Sequence, residues 1–146
     1  MQQETLNKIM PGWVLIRKLG QGSYGGVYEI QRKLPGGKIE KAALKHVMIP
    51  KNQDDVDVLL AQSYTIQSIS EHYQTQLQKQ IQEYSIMREL SECPNIVGCQ
   101  DVSYLPNGYG WELFIRMELL MPMKQTIDNQ FRELEVLRLG LEMCNA

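Results

Sequence analysis

Apolar residues recur along the first fifty positions in the way that strands require. The segments 13–19, 26–32 and 40–49 are rich in apolar residues, and glycine or Pro-Gly-Gly turns separate them. Apolar runs that are bounded by such turn residues predict strands. On this prediction the chain begins with an antiparallel meander of about three strands.

Between residues 54 and 92 the polar and apolar positions follow a helical repeat instead. This stretch is rich in Gln, Glu and Lys and contains neither Pro nor Gly. Its most regular part, 77–90, has apolar residues at every third or fourth position. It predicts a helix that ends before Cys93-Pro94, because Pro disfavours helical geometry in the residue before it. The earlier part, 56–73, is predicted to be helical too.

Two further strands, 96–104 and 111–120, are predicted on either side of 105–110, whose Asn-Gly step is a strong signal for a hairpin. A connector that contains Pro then leads to a last predicted helix, 133–146. The order is three strands, a helix, two strands and a helix. It predicts an α+β fold in which a five-stranded antiparallel sheet packs against one long helix.

Composition places the chain among ordinary globular domains. Its 146 residues are 43% hydrophobic and 22% charged, which excludes a disordered or collagen-like chain and fits one domain. No window approaches the roughly 20 apolar residues of a membrane span, and residues 1–10 do not resemble a secretory signal. Cys93, Cys99 and Cys144 show no C-x-x-C spacing. No disulfide framework or metal site is therefore predicted, and a cytoplasmic location is expected.

Positive charge is concentrated in the first third of the chain. Residues 1–50 contain eight Lys and Arg against three Glu, although the whole chain has a net charge of −2. A basic segment suits a phosphate-bearing ligand, and a solvated basic face is the alternative interpretation. No nucleic acid partner is predicted.

The segment Gly20-Gln-Gly-Ser-Tyr-Gly-Gly-Val27 matches the pattern G-x-G-x-x-G-x-V at every fixed position. In a dinucleotide-binding fold such glycines open a helix, whereas here a predicted strand follows them. Glycines in a hairpin let backbone N–H groups approach phosphate oxygens, because no Cβ intervenes. The alternative is an ordinary flexible hairpin without a ligand.

The segment Ala42-Ala-Leu-Lys45 matches the pattern V-A-I-K with a conservative change at its first position. Ala43 leaves room for a flat base, and Lys45 lies on the same face of the predicted strand, from which it can extend toward phosphates. A single lysine in a strand is usually a solvated surface residue. The spacing of Lys45 from the glycines is what favours a role in phosphate binding.

With these motifs in this order, the chain from Trp13 onward resembles the N-terminal lobe of a protein kinase. The segment 82–90, followed by Cys93-Pro-Asn-Ile-Val97, resembles the helix and loop that come next in that family. The local amino-acid sequence is most similar to that of bacterial serine/threonine kinases of the eukaryotic-like type. The resemblance implies a lobe that binds ATP.

The family pairs its strand lysine with a glutamate of that helix. The resemblance makes Glu83 the partner of Lys45 and places Met87 one turn on, facing the core. Glu89 is the competing residue. Glu83 is preferred because its distance from Pro94 is typical of the family.

The segment Arg116-Met-Glu-Leu-Leu120 resembles the fifth strand and hinge of the family. Met117 would lie behind the adenine, the carbonyl of Glu118 would accept from its amino group, and the N–H of Leu120 would donate to its ring. The apolar residues that would close on the ring are Leu19, Val27 and Ala43. The full set that the resemblance assigns to ATP is Leu19, Gly20, Gln21, Gly22, Ser23, Gly25, Val27, Ala43, Lys45, Met117, Glu118 and Leu120, with Lys45 and Glu83 as the catalytic pair and no metal ligand.

The resemblance divides the chain into an N-terminal extension (1–12), an ATP-binding lobe (13–120), and a hinge connector with the start of a second lobe (121–146). It implies a serine/threonine protein kinase that transfers phosphate from ATP to a protein substrate through that second lobe. Mg²⁺ is expected only in a longer parent chain.

The groups that carry phosphoryl transfer in this family are absent from the sequence. His46 and His72 are not followed by Arg-Asp, and Phe114 and Phe131 are not followed by Gly, so neither H-R-D nor D-F-G is present. The chain by itself is therefore predicted to be inactive. Its last apolar stripe ends without a Gly cap, so the chain is expected to be a fragment cut within a helix. That stripe is Leu134, Leu137, Leu141 and Cys144.

Two other hypotheses remain at this point. The chain could be a non-catalytic nucleotide-sensing or protein-interaction module that keeps the lobe without the chemistry. It could also be a structural domain in which the glycine pattern is coincidental.

Overall fold

The computed structural model describes residues 1–22, 25–93, 95–121 and 133–144, which form an α+β fold. Its strands are β1 Val14–Gly22, β2 Gly25–Lys33, β3 Ile39–Ile49, β4 Cys99–Asn107 and β5 Gly110–Met117. Its helices are α1 Gln3–Ile9, α2 Gln53–Ala61, α3 Ile66–Glu89 and α4 Glu133–Cys144. The predicted α+β class and the five-stranded antiparallel sheet are confirmed.

The strands pair in the order β1-β2-β3-β5-β4, and every pair is antiparallel. The chain leaves β3 through α2 and α3, enters at the edge strand β4 and returns beside β3 as β5. The predicted Asn-Gly hairpin joins β4 to β5, with Asn107 paired to Gly110. β3 is thus the central strand, and any side chain on it has neighbours from both halves of the sheet.

One face of the sheet, here called the inner face, is covered by α2 and α3. The buried residues between them form one cluster: Val47, Ile49, Cys99, Leu113 and Ile115 from the strands, and Val56, Ile69, Tyr73, Leu77 and Tyr84 from the helices. The spacing of the α3 members is the four- and seven-residue repeat of a helix with one apolar side. This repeat decides which α3 side chains point at the sheet.

The predicted helix over 56–73 is two helices, because a second helix start lies within it. The Thr65 side chain accepts from the N–H of Ser68 at 3.2 Å and caps α3, as Asn52 caps α2 by accepting from Asp55. Side-chain oxygens at such positions replace a backbone bond that a continuing helix would have made. Ser63, in the turn between the helices, has a φ of 65°.

The opposite face, here called the outer face, is covered by α1, for which the sequence pattern predicted no element. Leu6 is fully buried against this face. The cluster consists of Leu6, Met10, Trp13, Ile30, Ala42, Leu44 and Phe114. A helix of seven residues is too short to be stable alone, so α1 owes its stability to this burial.

The last helix, α4, lies beside the loop that precedes β4. The Asn95 side-chain amide donates to the carbonyl of Glu142 at 3.0 Å. Leu137 and Leu141, from the predicted apolar stripe, are 63% and 65% exposed. The side chain of Leu134 and the connector 122–132 lie outside the described residues. Of the helices that are described, none has the length and hydropathy to cross a membrane.

Candidate functional site

The glycine-rich segment forms the tip of the β1–β2 hairpin. Gly20 pairs with Val27, and Gly22 pairs with Gly25. Ser23, predicted to contact ATP, lies outside the described residues. Because a strand rather than a helix follows the glycines, the predicted strand–loop–strand arrangement is confirmed and the dinucleotide-binding arrangement is excluded.

Different structural features explain why glycine occupies each of these positions in the hairpin. A Cβ on Gly25 would lie 1.8 Å from the carbonyl oxygen of His46, so this position must be glycine for β2 to approach β3. A Cβ on Gly20 would meet no described heavy atom within 4 Å, and one on Gly22 would meet only the Gly25 oxygen at 3.7 Å. Packing therefore explains Gly25, whereas the bare backbone at Gly20 and Gly22 borders open space.

Lys45 lies on the inner face, directly opposite Val27 of the hairpin. Its Nζ donates to the hydroxyl of Tyr84 at 3.0 Å and lies 5.5 Å from the centre of that ring. In the part of the chain that the structure describes, Lys45 forms no ion pair. Since an ammonium has three donors, the Tyr84 contact leaves two of them for another acceptor.

The predicted Lys45–Glu83 ion pair is not formed in this structure. Glu83 is exposed, and its carboxylate accepts from the Gln80 side chain at 3.5 Å. One residue step turns a helix by about 100°, so with Tyr84 on the apolar side of α3, Glu83 points away from the sheet. The competing residue, Glu89, is exposed as well. Met87 packs against the inner cluster, as predicted for it.

The apolar residues predicted to hold an adenine are brought together around β3, in part. Ala43 is 6% exposed and pairs with Met117, and Val27 is half-buried on the same face. Leu19 has no partner in the β1–β2 register, because a shift between its neighbours makes it a bulge, and it is 39% exposed. Ala43 and Val27 therefore lie together on the inner face at the predicted adenine subsite, and Leu19 is the most exposed of the three residues.

The predicted hinge is held by Gly98. Its carbonyl accepts from the N–H of Glu118 at 3.1 Å, and its own N–H donates to the Glu118 carboxylate at 3.0 Å. Within the described residues, the carbonyl of Glu118 and the N–H of Leu120 make no hydrogen bond. These are the two groups that the kinase resemblance assigns to adenine. The role of the Glu118 side chain has no signal in the sequence.

A buried carboxylate, Glu29, lies beside the predicted subsite and was not expected. It is 4% exposed and pairs with Ala43 across the strands. Arg17 Nε at 2.7 Å and Lys41 Nζ at 3.2 Å contact its two oxygens. Hydrogen bonds from Arg17 and then Lys41 lower the pKa of Glu29 below its ordinary value. The period-two pattern of β2 puts Glu29 inward with Val27, which is the signal that could have found it.

His46 belongs to the outer face, behind Lys45. Its Nε2 lies 2.7 Å from a carboxylate oxygen of Glu112, and its ring stacks on Phe114 at 4.8 Å. Burial lowers the pKa of His46, and Glu112 opposes that shift. Alternate residues of a strand point to opposite faces, so His46 takes no part in the site around Lys45.

No protein-family model matches this chain, and no curated protein matches it. Any functional conclusion therefore rests on the residues and their geometry.

The arrangement around Lys45 suits a ligand with a phosphate group and a flat ring. Lys45, with two spare donors, pairs across the strands with Val27, which pairs in turn with Gly20. The free hinge groups follow Met117, which pairs with Ala43. These residues fit the parts of ATP. Among the described side chains, no group of three or more His, Cys, Asp or Glu is placed to hold a metal ion.

Proposed function

We propose that residues 13–120 are the ATP-binding lobe of a serine/threonine protein kinase. The observation that carries this proposal is the register of β3. Lys45 pairs with Val27 of the glycine hairpin, and Ala43 pairs with Met117 at the hinge. Three motifs that are far apart in the sequence thus lie side by side at one strand, in the order that phosphate, ring and hinge require.

In this proposal each residue acts by binding. The bare backbone at Gly20 and Gly22 admits phosphate oxygens, and the free donors of Lys45 hold them. Ala43 and Met117 contact the ring, which the hinge groups orient. Pockets of this kind obtain affinity from burial and orientation from a few polar groups.

ATP supplies the phosphoryl group when it is bound, and the described residues position it. The chain contains no H-R-D Asp or Asn and no D-F-G Asp, which in this family accept the substrate proton and hold the metal. The proposal therefore expects ATP binding without transfer by this chain, and transfer by a longer one that contains those groups.

The test is the affinity for a non-hydrolysable ATP analogue, measured by calorimetry on the 146-residue chain. Lys45→Met should weaken binding about tenfold or more, because it removes charge-assisted hydrogen bonds to phosphate. Lys33→Met is the matched control, since Lys33 is an exposed lysine at the far end of β2. Equal affinities of the Lys45 variant and the control would refute the proposal.

One observation favours a second candidate, a non-catalytic nucleotide-sensing or interaction module. Lys45 donates to the hydroxyl of Tyr84 and not to a carboxylate, whereas phosphoryl transfer in protein kinases needs the Lys–Glu ion pair in place. Phosphate transfer by a longer chain that contains the downstream motifs supports the kinase. Stabilisation of the chain by ATP, with no transfer by that longer chain, supports the module.

A further inference from the structure

A cavity opens on the inner face, beyond the site around Lys45. It has a volume of about 580 Å³ and lies between the end of β3, α2 and the first half of α3. Its lining begins at Val47, two residues and about 7 Å further along β3 than Lys45. None of its described lining residues belongs to the predicted ATP set. A volume of this size is typical of small-molecule sites.

The floor of this cavity is apolar. Val47, Ile49 and Tyr73 are buried there, and Leu59 packs against the same cluster. Val58, from the exposed side of α2, contributes part of the wall. An apolar body entering here would replace water on these side chains, which is favourable in proportion to the area covered.

The polar groups of the cavity include a donor without a partner. Tyr73 is 3% exposed, and among the residues that the structure describes its hydroxyl has no hydrogen-bond partner. Burial and the neighbouring Asp55 raise the pKa of Tyr73, so the hydroxyl stays protonated and remains a donor.

Two lysines at the rim also form no ion pair with any residue that the structure describes. Lys51 and Lys79 line the cavity and form no ion pair within the described ranges of the chain. Asp55 is the one carboxylate among the described lining residues. Two ammonium groups and a phenol donor against one carboxylate favour a ligand that carries acceptors and a negative charge.

We propose that this cavity binds a small free organic anion with an apolar body, such as an alkyl or aryl carboxylate. The body lies on the floor between β3 and α2. The anionic group accepts from Tyr73 and is held by Lys51 and Lys79. This site is separate from the ATP site and does not depend on it.

The test uses decanoate, below its micelle concentration, with backbone amide NMR of the 146-residue chain. Decanoate should shift the amides at the end of β3, in α2 and in the first half of α3. The neutral 1-decanol and the cationic decylammonium should bind at least about fivefold more weakly, since they lack the charge that the lysines attract. Equal binding of decanol or decylammonium, or shifts confined to other elements, would overturn the proposal.

Tyr73→Phe separates ligand binding from folding. Because the Tyr73 hydroxyl has no hydrogen-bond partner among the described residues, this variant should unfold like the parent while binding decanoate about tenfold more weakly. Unchanged decanoate affinity would contradict the assignment of Tyr73. The double variant Lys51→Ala/Lys79→Ala should lose binding further, and retained affinity would contradict the role of both lysines.

A pair of α2 variants tests the location. Val58→Asp places a negative charge in the cavity wall and should abolish decanoate binding, whereas Leu60→Asp, an equally drastic change on the same helix outside the lining, should not. Equal effects of the two would refute the location. Preference for phosphatidylserine vesicles over monomeric decanoate would refute a free ligand.

Discussion

The burial of Leu6 under α1 leads to a quantitative prediction for Leu6→Ala. Leu6 is fully buried, in one cluster with Leu44 and Phe114 of the outer face. Leu→Ala changes in cores cost about 2.7–5.0 kcal/mol, and the cost is lower where the site can collapse. A helix of only seven residues can shift toward the sheet, so we expect a loss of about 3 kcal/mol. That is a large part of the ~5–15 kcal/mol of a typical domain.

The assay is urea unfolding followed by tryptophan fluorescence, to which Trp13, 3% exposed in the same cluster, contributes together with Trp111. With a slope of about 2 kcal/mol per molar urea, the midpoint should fall by about 1.5 M. Lys8→Ala is the control, because Lys8 is exposed on the same helix, and it should change stability by less than about 0.5 kcal/mol. If the two variants unfold alike, α1 is not packed on the sheet and the reasoning is refuted.

Three more predictions concern single contacts, and urea unfolding measures each of them. Tyr84→Phe removes the acceptor of the β3 lysine and should cost about 1 kcal/mol, whereas Tyr73→Phe should cost nothing measurable; equal losses would contradict the hydrogen bond. Gly25→Ala should cost about 2 kcal/mol or more through its clash with β3, and Gly20→Ala less than about 0.5 kcal/mol; the reverse order would contradict the hairpin packing. Burial lowers the pKa of His46, so the unfolded chain binds more protons, and stability present above about pH 6.5 is lost as pH falls through the folded pKa. His46→Gln should therefore lose less stability between pH 7.5 and pH 5.5 than the parent, and an unchanged pH dependence would contradict that cause.

Local turn chemistry is what made the sheet predictable. Glycines, the Pro-Gly-Gly turn and the Asn-Gly step separate runs of apolar residues, and each signal acts over a few neighbours. The strand ends differ by up to three residues from prediction. β4 continues through Pro106, which an edge strand tolerates because the missing N–H of Pro can lie on the solvent side, where no ladder hydrogen bond is lost.

Features that depend on distant partners were not predictable. α1 is too short to show a helical repeat in the sequence, and it is stabilised by packing on apolar residues of the outer face. The choice of Tyr84 over Glu83 as the group facing Lys45 follows from the rotation of α3, which Ile69, Tyr73 and Leu77 set by packing on the sheet. Neighbouring residues of a helix point in directions about 100° apart. Matching a motif by its spacing along the sequence therefore does not determine which of two neighbouring residues faces the sheet.

The outer cluster also constrains the order of assembly during synthesis. Leu6 and Phe114 share that cluster, yet more than 100 residues separate them in the sequence. At roughly 5–20 residues per second, a ribosome adds Phe114 roughly 5–20 seconds after Leu6. A helix of this length does not persist in water without a surface to pack on. α1 is therefore synthesised before its packing surface is complete, and it becomes stable only once β5 supplies Phe114 to the outer cluster.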